Sequence, residues 1–477
     1  MGGKSSVGES LGKAVAVIAG NEVGEAGWVG GMVNEASAWQ ASTRISNGTQ
    51  INVRRMLAII AVSMRRQYGA ASPSSQANAP APANPTRRPG KINANLSDRF
   101  PGRFLRPIPI LLEEFMSPMF VPGPVDVSPD VLAAQTAPML PHRGPEFETI
   151  FQRASENARQ VFLTQVPVFI VTASGTGLQE AAVRNLAKRD VLSCVNGAFS
   201  KRWYDVALSN GKQADLLEVE WGQPLLPEMV AEALQEKPYE LLTIAHNETS
   251  AGVQNPIREI AEAARSASPE TLICVDAVSS LGGVRLEMDA WGLDMVLTSS
   301  QKCLALPPGL ALAAVSDRAM EYARQVPQRG WYFDLIRMEE HRRKDSTPAT
   351  PAMSLIYALD YKLERILEEG LEARFARHSA LAERVQNWGE RCGLRLFAAP
   401  GYRSLTVTTV ASPEGFVLDN LNAFLMRRGM RIASGYGQLK GKTFRIAHMG
   451  DTLMEDIDAL LFAMDEYLEG AAGRVAG

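Results

Sequence analysis

From about Phe120 onward, short apolar runs alternate with segments of helical periodicity, and this alternation limits the folds open to the chain. Apolar runs of strand length lie at residues 168–171, 241–245 and 272–275. Segments with helical spacing of Ala, Leu, Glu and Arg lie at residues 156–162, 178–188, 227–236 and 257–265. Such alternation builds βαβ units with a mostly parallel sheet covered on both faces. We therefore predict an α/β fold that binds ligands beyond the carboxyl ends of its strands.

The last part of the chain predicts a second, smaller domain. A helical pattern at residues 352–369 leads out of the α/β region. Beyond it we predict a helix, strands at 394–398 and 404–409, a helix at 416–428, a strand at 443–447 and a final helix. This order is typical of a compact α+β domain. The predicted division is an extension at residues 1–115, a large domain at 116–367 and a small C-terminal domain at 368–477.

The extension does not share the alternating pattern. Residues 1–48 are rich in Gly, Ala and Ser, and residues 51–66 carry a short apolar core between arginine pairs. Residues 70–94 have the Ala, Pro, Ser and Asn composition of a disordered linker. We expect residues 1–115 to be largely disordered and dispensable for function, with a targeting role or a true start at Met116 as alternatives.

The overall composition excludes several classes of protein. The chain is 46% hydrophobic and 21% charged, as soluble globular proteins are. A formal net charge of −3 favours neither nucleic acid nor an anionic membrane surface as a partner, and the apolar stretches are too short for a membrane span. The 4 cysteines lie far apart without metal-site spacing, so we expect free thiols, a cytoplasmic location and no metal.

Two predicted strands end close to residues that form a known chemical pair. The apolar run at residues 272–275 ends on Asp276, and the run at residues 295–297 is followed closely by Lys302. A lysine can form a Schiff base with pyridoxal phosphate, and an acid can keep the pyridine nitrogen of this cofactor protonated. Each residue alone has a simpler explanation, because most lysines are solvated and an Asp after a strand is often a turn residue.

A turn of small residues predicts a phosphate site. Ser174-Gly175-Thr176-Gly177 follows a predicted strand and precedes a predicted helix. Glycine lets the backbone approach an anion, free N–H groups point at it, and the helix dipole adds partial positive charge. Such turns also occur without ligands, so the motif gains weight only beside the others.

Three further residues are candidates for ligand contacts. Phe199 lies in the run Asn-Gly-Ala-Phe-Ser-Lys-Arg-Trp, and Thr249 lies in the run His-Asn-Glu-Thr-Ser-Ala-Gly. Arg445 stands between two apolar residues and shortly before His-Met-Gly. A guanidinium group suits carboxylate binding because its planar fork makes two parallel hydrogen bonds. The simpler alternatives are core packing for Phe199 and a surface position for Arg445, which its apolar neighbours oppose.

These motifs, in this order, resemble the class V aminotransferases of the fold-type I pyridoxal-phosphate enzymes, and most of all their alanine/serine–glyoxylate group. The resemblance covers about Phe120 to the C-terminus. It implies that Lys302 anchors the cofactor and shuttles the proton, and that Asp276 pairs with the ring nitrogen. It also implies contacts to the cofactor phosphate from Ser174, Gly175, Thr176 and Gln301, ring stacking by Phe199, and a hydroxyl near the phenolic oxygen from Thr249.

The resemblance further implies a homodimer in which the segment at residues 347–351 reaches the partner's cofactor phosphate. We assign that contact to Thr350, with Thr347 as an alternative. Arg445 would clamp the substrate carboxylate, while an amino group moves from a small amino acid such as alanine or serine to a 2-oxo acid such as glyoxylate or pyruvate.

Two alternatives within the fold remain open. A lyase of the cysteine desulfurase kind shares the cofactor, but such relatives carry His directly before the lysine, where this chain has Gln301. A non-catalytic relative would be indicated by loss of Lys302 or Arg445, and both residues are present.

Overall fold

The computed structural model describes residues 118–475. The predictions for residues 1–115 and for a start at Met116 therefore lie outside the described part of the chain. Within residues 118–475, no helix combines the length and apolar character that a membrane span requires.

The strands follow the predicted apolar runs closely. They are β1 (Met119–Phe120), β2 (Val168–Thr172), β3 (Asp190–Val195), β4 (Gln213–Glu218), β5 (Leu241–Ala245), β6 (Asn247–Glu248), β7 (Val253–Gln254), β8 (Leu272–Asp276), β9 (Met295–Ser299), β10 (Leu310–Val315), β11 (Val407–Ala411), β12 (Arg431–Ser434) and β13 (Thr443–Ala447).

The helices fall between these strands. They are α1 (Pro129–Ala134), α2 (Pro145–Val161), α3 (Gly175–Leu186), α4 (Ala198–Ser209), α5 (Pro227–Glu236), α6 (Ile257–Ala267), α7 (Asp317–Gln325), α8 (Leu335–Arg342), α9 (Met353–Glu369), α10 (Leu371–Arg391), α11 (Leu418–Met426) and α12 (Met454–Val475).

A seven-stranded sheet in the order β2-β10-β9-β8-β5-β3-β4 forms the centre of the fold. The pairs β3–β4, β3–β5, β5–β8 and β8–β9 are parallel, whereas β10 is antiparallel to both of its neighbours. The prediction of a mostly parallel sheet is confirmed.

Both faces of this sheet are covered by apolar side chains. In β8, Ile273 and Val275 belong to one buried cluster, and the residues beside them, Leu272 and Cys274, belong to another. Successive side chains of a strand point to opposite faces. A strand buried on both faces therefore reads as the unbroken apolar run from which it was predicted.

A four-stranded sheet in the order β1-β12-β13-β11 forms the C-terminal part of the fold. The predicted strand at 443–447 matches β13, and the strand predicted at 404–409 begins later, at Val407. The strand predicted at 394–398 is wrong, because Leu396 makes only an isolated bridge to Val410. Shortly afterwards the chain leaves the sheet, and the amide of Ala399 donates to the carbonyl of Gly222.

Strand β1 joins the C-terminal sheet, although it lies at the start of the described residues. Its residues Met119 and Phe120 pair in parallel with Arg431 and Ile432 of β12. The domain boundaries themselves stay a prediction. What the fold establishes for the site is that the loop after β1 passes beside the carboxyl end of β9, where the amide of Val125 donates to the carbonyl of Gln301.

Candidate active site

The carboxyl ends of β2, β5, β8 and β9 open onto one cleft with a volume of about 330 Å³. This position is the one expected for ligands of an open α/β sheet. The cleft is lined by these residues predicted from the sequence: Ser174, Gly175, Thr176, Phe199, Thr249, Asp276, Gln301 and Lys302. Distant segments of the chain are thus brought together at one edge of the sheet.

Lys302 lies in the turn after β9, beneath the loop that follows β1. Its ammonium group donates a hydrogen bond to the carbonyl of Pro122. A Cβ on Gly123, which has a φ of +95°, would lie 2.6 Å from Cδ of Lys302, so only glycine allows this loop to cover the lysine. Burial, with Arg445 as the next cause, lowers the pKa of Lys302 to about 8. Near neutral pH the lysine is therefore far closer to its uncharged, nucleophilic form than a surface lysine is.

Asp276 is the last residue of β8 and is almost fully buried. Its carboxylate accepts hydrogen bonds from Nε2 of Gln179 at 2.7 Å and from the amide of Val278 at 2.8 Å. Burial raises the pKa of Asp276 to about 6, and these two hydrogen bonds oppose the rise. Within residues 118–475 no cation forms an ion pair with this carboxylate. The charge of Asp276 is thus available to a cationic group of a ligand.

The predicted phosphate turn opens α3 and lines the same cleft. Ser174 is the N-cap residue of α3 but makes no side-chain capping bond, which leaves the first N–H groups of the helix without that partner. The hydroxyl of Thr176 accepts a hydrogen bond from Nη1 of Arg202 at 3.1 Å. Gly175 allows close packing, since a Cβ there would lie 2.6 Å from a methyl group of Val278. A helix N-terminus beside a guanidinium group is suited to a phosphate.

Phe199 stands at the start of α4, with aromatic and cationic neighbours. Its ring stacks on that of Tyr436, with centroids 5.0 Å apart and an interplanar angle of 21°. Nζ of Lys302 lies 5.9 Å from the centroid of Phe199. The half-buried ring therefore lies beside the lysine and lines the cleft, rather than being packed into the core.

Arg445 lies on β13 and reaches the same region from the C-terminal sheet. Its guanidinium donates to the carbonyl of Ser434 at 2.9 Å and to that of Thr249 at 3.2 Å. Burial lowers the pKa of Arg445 to about 10, so the group remains charged at neutral pH. In the described part of the chain it forms no ion pair with a carboxylate. A buried cation that donates hydrogen bonds to carbonyl groups and has no paired carboxylate is suited to binding a carboxylate from outside.

Thr350 is not part of the cleft. It is exposed and lines a separate groove with residues that include Thr172 and Thr347. The predicted contact of Thr350 was with the cofactor of a partner subunit, and it stays a prediction.

Several residues that line the cleft were not identified from the sequence: Gln179, Arg202, Asn247 and Ser299. Two of them had a usable signal, because Gln179 follows Gly175 by four residues and Arg202 follows Phe199 by three. These spacings place both side chains on the helix face that carries the recognised residue.

The cleft has unsatisfied polar atoms that fit pyridoxal phosphate. Oε1 of Gln179 and Oγ of Ser299 are buried and have no hydrogen-bond partner among the described residues. Asp276 offers an unpaired carboxylate for a protonated pyridine nitrogen, and the start of α3 offers N–H groups for a phosphate. Buried polar groups normally find partners, so these atoms are consistent with a polar ligand of this kind.

Comparisons with known proteins agree with this chemistry. A family model described as aminotransferase class-V matches residues 130–460. The L-aspartate–glyoxylate aminotransferase of Paracoccus denitrificans is 36% identical over 70% of this chain and 86% of that protein. The serine–glyoxylate aminotransferase of Methylorubrum extorquens is 35% identical over 70% of this chain and 86% of that protein. A crystal structure of an alanine–glyoxylate aminotransferase from Nostoc has a TM-score of 0.70 and 30% identity, over 79% of this chain and all of that one.

Proposed function

This chain belongs to the class-V aminotransferases, which are fold-type I enzymes that use pyridoxal phosphate, and we propose that it transfers an amino group from a small amino acid to glyoxylate. The three relatives compared above differ in the donor that their names give, which is aspartate, serine or alanine, and share glyoxylate as the acceptor. Transamination of glyoxylate yields glycine. Pyruvate and similar 2-oxo acids are the alternative acceptors.

The observation that carries this proposal is a pair of neighbouring cations: Lys302 lines the cleft, and Arg445 donates to the carbonyl of Thr249, which also lines it. The positive charge of Arg445 contributes to the lowered pKa of Lys302, because a nearby cation disfavours the protonated amine. Every amino acid and every 2-oxo acid in such a reaction has a carboxylate next to the reacting carbon. Arg445 would hold that carboxylate, which places the reacting carbon near Nζ of Lys302 in both halves of the reaction.

Lys302 and Asp276 would divide the proton chemistry between them. When bound, pyridoxal phosphate supplies an electron sink for the pair of electrons released from the donor's Cα–H bond. Lys302 would remove that proton with its uncharged amine, a role that its lowered pKa favours. Asp276 would keep the proton on the pyridine nitrogen, because an adjacent anion raises the pKa of that nitrogen.

The remaining residues would hold the cofactor in place. All six remaining residues line the cleft. Ser174, Gly175, Thr176 and Gln301 would hold the phosphate, and Phe199 and Thr249 would contact the ring. A homodimer, in which Thr350 reaches the partner's cofactor, is part of this proposal. So is a cytoplasmic location, which the four free cysteines support.

A desulfurase function is disfavoured by the cysteines. Such an enzyme needs a nucleophilic thiolate that reaches the substrate, and a thiolate forms readily only where it is stabilised. Cys194, Cys274 and Cys303 are buried, and burial raises their pKa values. The half-buried Cys392 lies beside the carboxylate of Asp465, and its pKa is also raised.

A panel of amino donors tests the proposal. The purified protein, loaded with pyridoxal phosphate, should be yellow and should lose this colour when a donor converts the cofactor to its amine form. Alanine, serine and aspartate are each supplied with glyoxylate or pyruvate, and the amino acid product is quantified. Glycine formation with at least one donor supports the proposal, and no transamination with any pair would contradict it.

A further inference from the structure

Glu248 is a fully buried carboxylate to which the proposed reaction assigns no part. It lies in β6, next to Thr249, and accepts five hydrogen bonds. Oε2 accepts from the amide of Phe199 at 3.1 Å, and from the amide and hydroxyl of Ser200 at 2.7 and 2.8 Å. Oε1 accepts from the amide and hydroxyl of Ser250 at 3.0 and 2.6 Å. An ionised carboxylate with this many donors is a strong and directional anchor.

Three of these bonds hold the beginning of α4, the helix that carries Phe199. The N-cap residue of α4 is Gly197, which has no side chain to cap the helix. Glu248 supplies the acceptor from a distant part of the chain, and its negative charge also suits the positive end of the helix dipole. The stacking ring of Phe199 is thus fixed through the amide of its own residue.

The close approach of Glu248 to the start of α4 requires glycine at position 197. A Cβ at position 197 would lie 2.3 Å from Cγ of Glu248 and 2.6 Å from the hydroxyl of Ser250. No side chain fits there without moving the carboxylate. The motifs around Phe199 and Thr249, which the sequence presents as separate, therefore form one structural unit.

The same carboxylate connects to the substrate side of the cleft. Through Ser250 it fixes the turn that contains Thr249, whose carbonyl accepts the hydrogen bond from Arg445. Its charge also favours the ionised form of Arg445. One buried group thus reaches the ring-stacking residue on one side and the support of Arg445 on the other.

We propose that Glu248 is a positioning residue that sets the place of Phe199 against the cofactor ring and of the Thr249 turn against Arg445. It acts through other residues, and the proposal rests on the cofactor site of the proposed function. A Gln side chain at position 248 would have the same shape but could not accept all of these hydrogen bonds. Its NH₂ group would point N–H donors at the N–H and O–H donors of the surrounding residues.

The test compares Glu248→Gln with Asp334→Asn as a matched control. Asp334 also caps a helix, α8, by accepting from the amides of Ile336 and Arg337, but it lies outside the cleft. The probe is pyridoxamine phosphate, which has no aldehyde to bond with Lys302, so its affinity for the apo-protein reports the noncovalent site alone. The cofactor's visible circular dichroism in the holoenzyme reports the asymmetry of the ring's surroundings.

We expect Glu248→Gln to weaken pyridoxamine phosphate binding about tenfold, which corresponds to about 1.4 kcal/mol, and to reduce the visible dichroism. Asp334→Asn should change the affinity less than about twofold, although it too replaces a carboxylate at the start of a helix, here one paired with Arg329, and should lower thermal stability. The KM values for donor and acceptor should rise in Glu248→Gln because the turn beneath Arg445 is released. Wild-type affinity and dichroism in Glu248→Gln would overturn the proposal.

Two milder variants keep the test decisive if Glu248→Gln does not fold. Ser200→Ala and Ser250→Ala each remove one hydroxyl donor to Glu248 and should weaken pyridoxamine phosphate binding about twofold to fivefold. Unchanged affinity in both would overturn the proposal. Failure of the proposed function is a separate result, because it would appear as absence of transamination in the wild-type protein.

Discussion

Arg374 and Arg445 are both buried arginines of the C-terminal part of the chain, but within the part that the structure describes only Arg374 is paired with carboxylates. Arg374 pairs with Glu369 at 2.6 Å and Asp451 at 3.4 Å, and it donates to the carbonyls of Gly282 and Cys303 at 2.8 Å. Arg445 donates only to carbonyl groups.

The same contrast extends to the neighbours of each arginine. Around Arg374, Lys362 pairs with Asp451, and Arg377 pairs with Glu369. In the cleft, Lys302 donates to a carbonyl, and Asp276 accepts from an amide side chain and a backbone amide. Burial of an unpaired charge is costly. The charges around Arg374 compensate one another within the fold, whereas those at the cleft are left without an ion pair among residues 118–475 and are available to a ligand.

Among the residues at the cleft, replacement of Lys302 should reduce activity the most. We expect Lys302→Ala to reduce transamination by about 10,000-fold or more, because the cofactor anchor and the proton carrier are lost together. The melting temperature of the apo-protein should not fall, since no ion pair is broken. Steady-state turnover and calorimetry check this, with the exposed Lys188→Ala as the control. Turnover within tenfold of the wild type would refute the role of Lys302.

Asp276→Asn should separate function from stability. We expect activity to fall by roughly 100-fold, since the carboxylate near the ring nitrogen is lost. The raised pKa of Asp276 means that the folded apo-protein loses stability as pH rises from about 4 to about 6, where this group ionises in the folded state. The variant should therefore melt at the same temperature as the wild type at pH 4 and at a higher temperature at pH 7. A lower melting temperature at pH 7 would make Asp276 a structural residue.

Arg445→Lys should raise the KM for amino donor and oxo acid alike, by about tenfold to a hundredfold. An ammonium group keeps the charge but cannot form two parallel bonds to a carboxylate. The binding of pyridoxamine phosphate, which has no carboxylate, should change by less than about twofold. Unaltered KM values for both substrates would place the carboxylate site elsewhere.

Lys362→Met should have the smallest effect on catalysis and a clear effect on stability. Lys362 is buried and paired with Asp451, so its loss leaves that carboxylate less compensated, and we expect a destabilisation of about 1–3 kcal/mol. The KM and kcat values should remain within about twofold of the wild type. Denaturant unfolding measures the stability, and steady-state kinetics measure KM and kcat. A large change in KM without loss of stability would show that the paired charges around Arg374 do not differ in role from the unpaired charges at the cleft.

The central sheet and the residues at the carboxyl ends of its strands could be predicted because their signals are local. A buried strand such as β8 is an unbroken apolar run, and Asp276 marks its end. The buried position of Arg445 was predictable for a similar reason, since apolar neighbours flank it on β13.

The parts that could not be predicted depend on contacts between distant segments. The run at 394–398 has the composition of a strand, and Arg395 and Phe397 do form backbone hydrogen bonds with β11, but the pairing does not extend beyond a single bridge, so no strand forms. The spacing in the sequence could place Gln179 on the right helix face, but its bond to Asp276 depends on the packing of α3 against the end of β8. Similarly, Glu248 looks like an ordinary member of its motif until the start of α4, some 50 residues earlier, is packed onto it.

The pairing of β1 with β12 has a consequence for how the protein is made. At synthesis rates of roughly 5–20 residues per second, β1 is made about 15–60 s before β12, which lies roughly 300 residues downstream. The loop that covers Lys302 directly follows β1 and carries Gly123. On the ribosome, this loop therefore gains its anchor to β12 long after its contact partner Gln301 has been made. A chain that ends before β12 lacks both the strand that pairs with β1 and Arg445 on β13, so these parts of the site form only after the central sheet has been made.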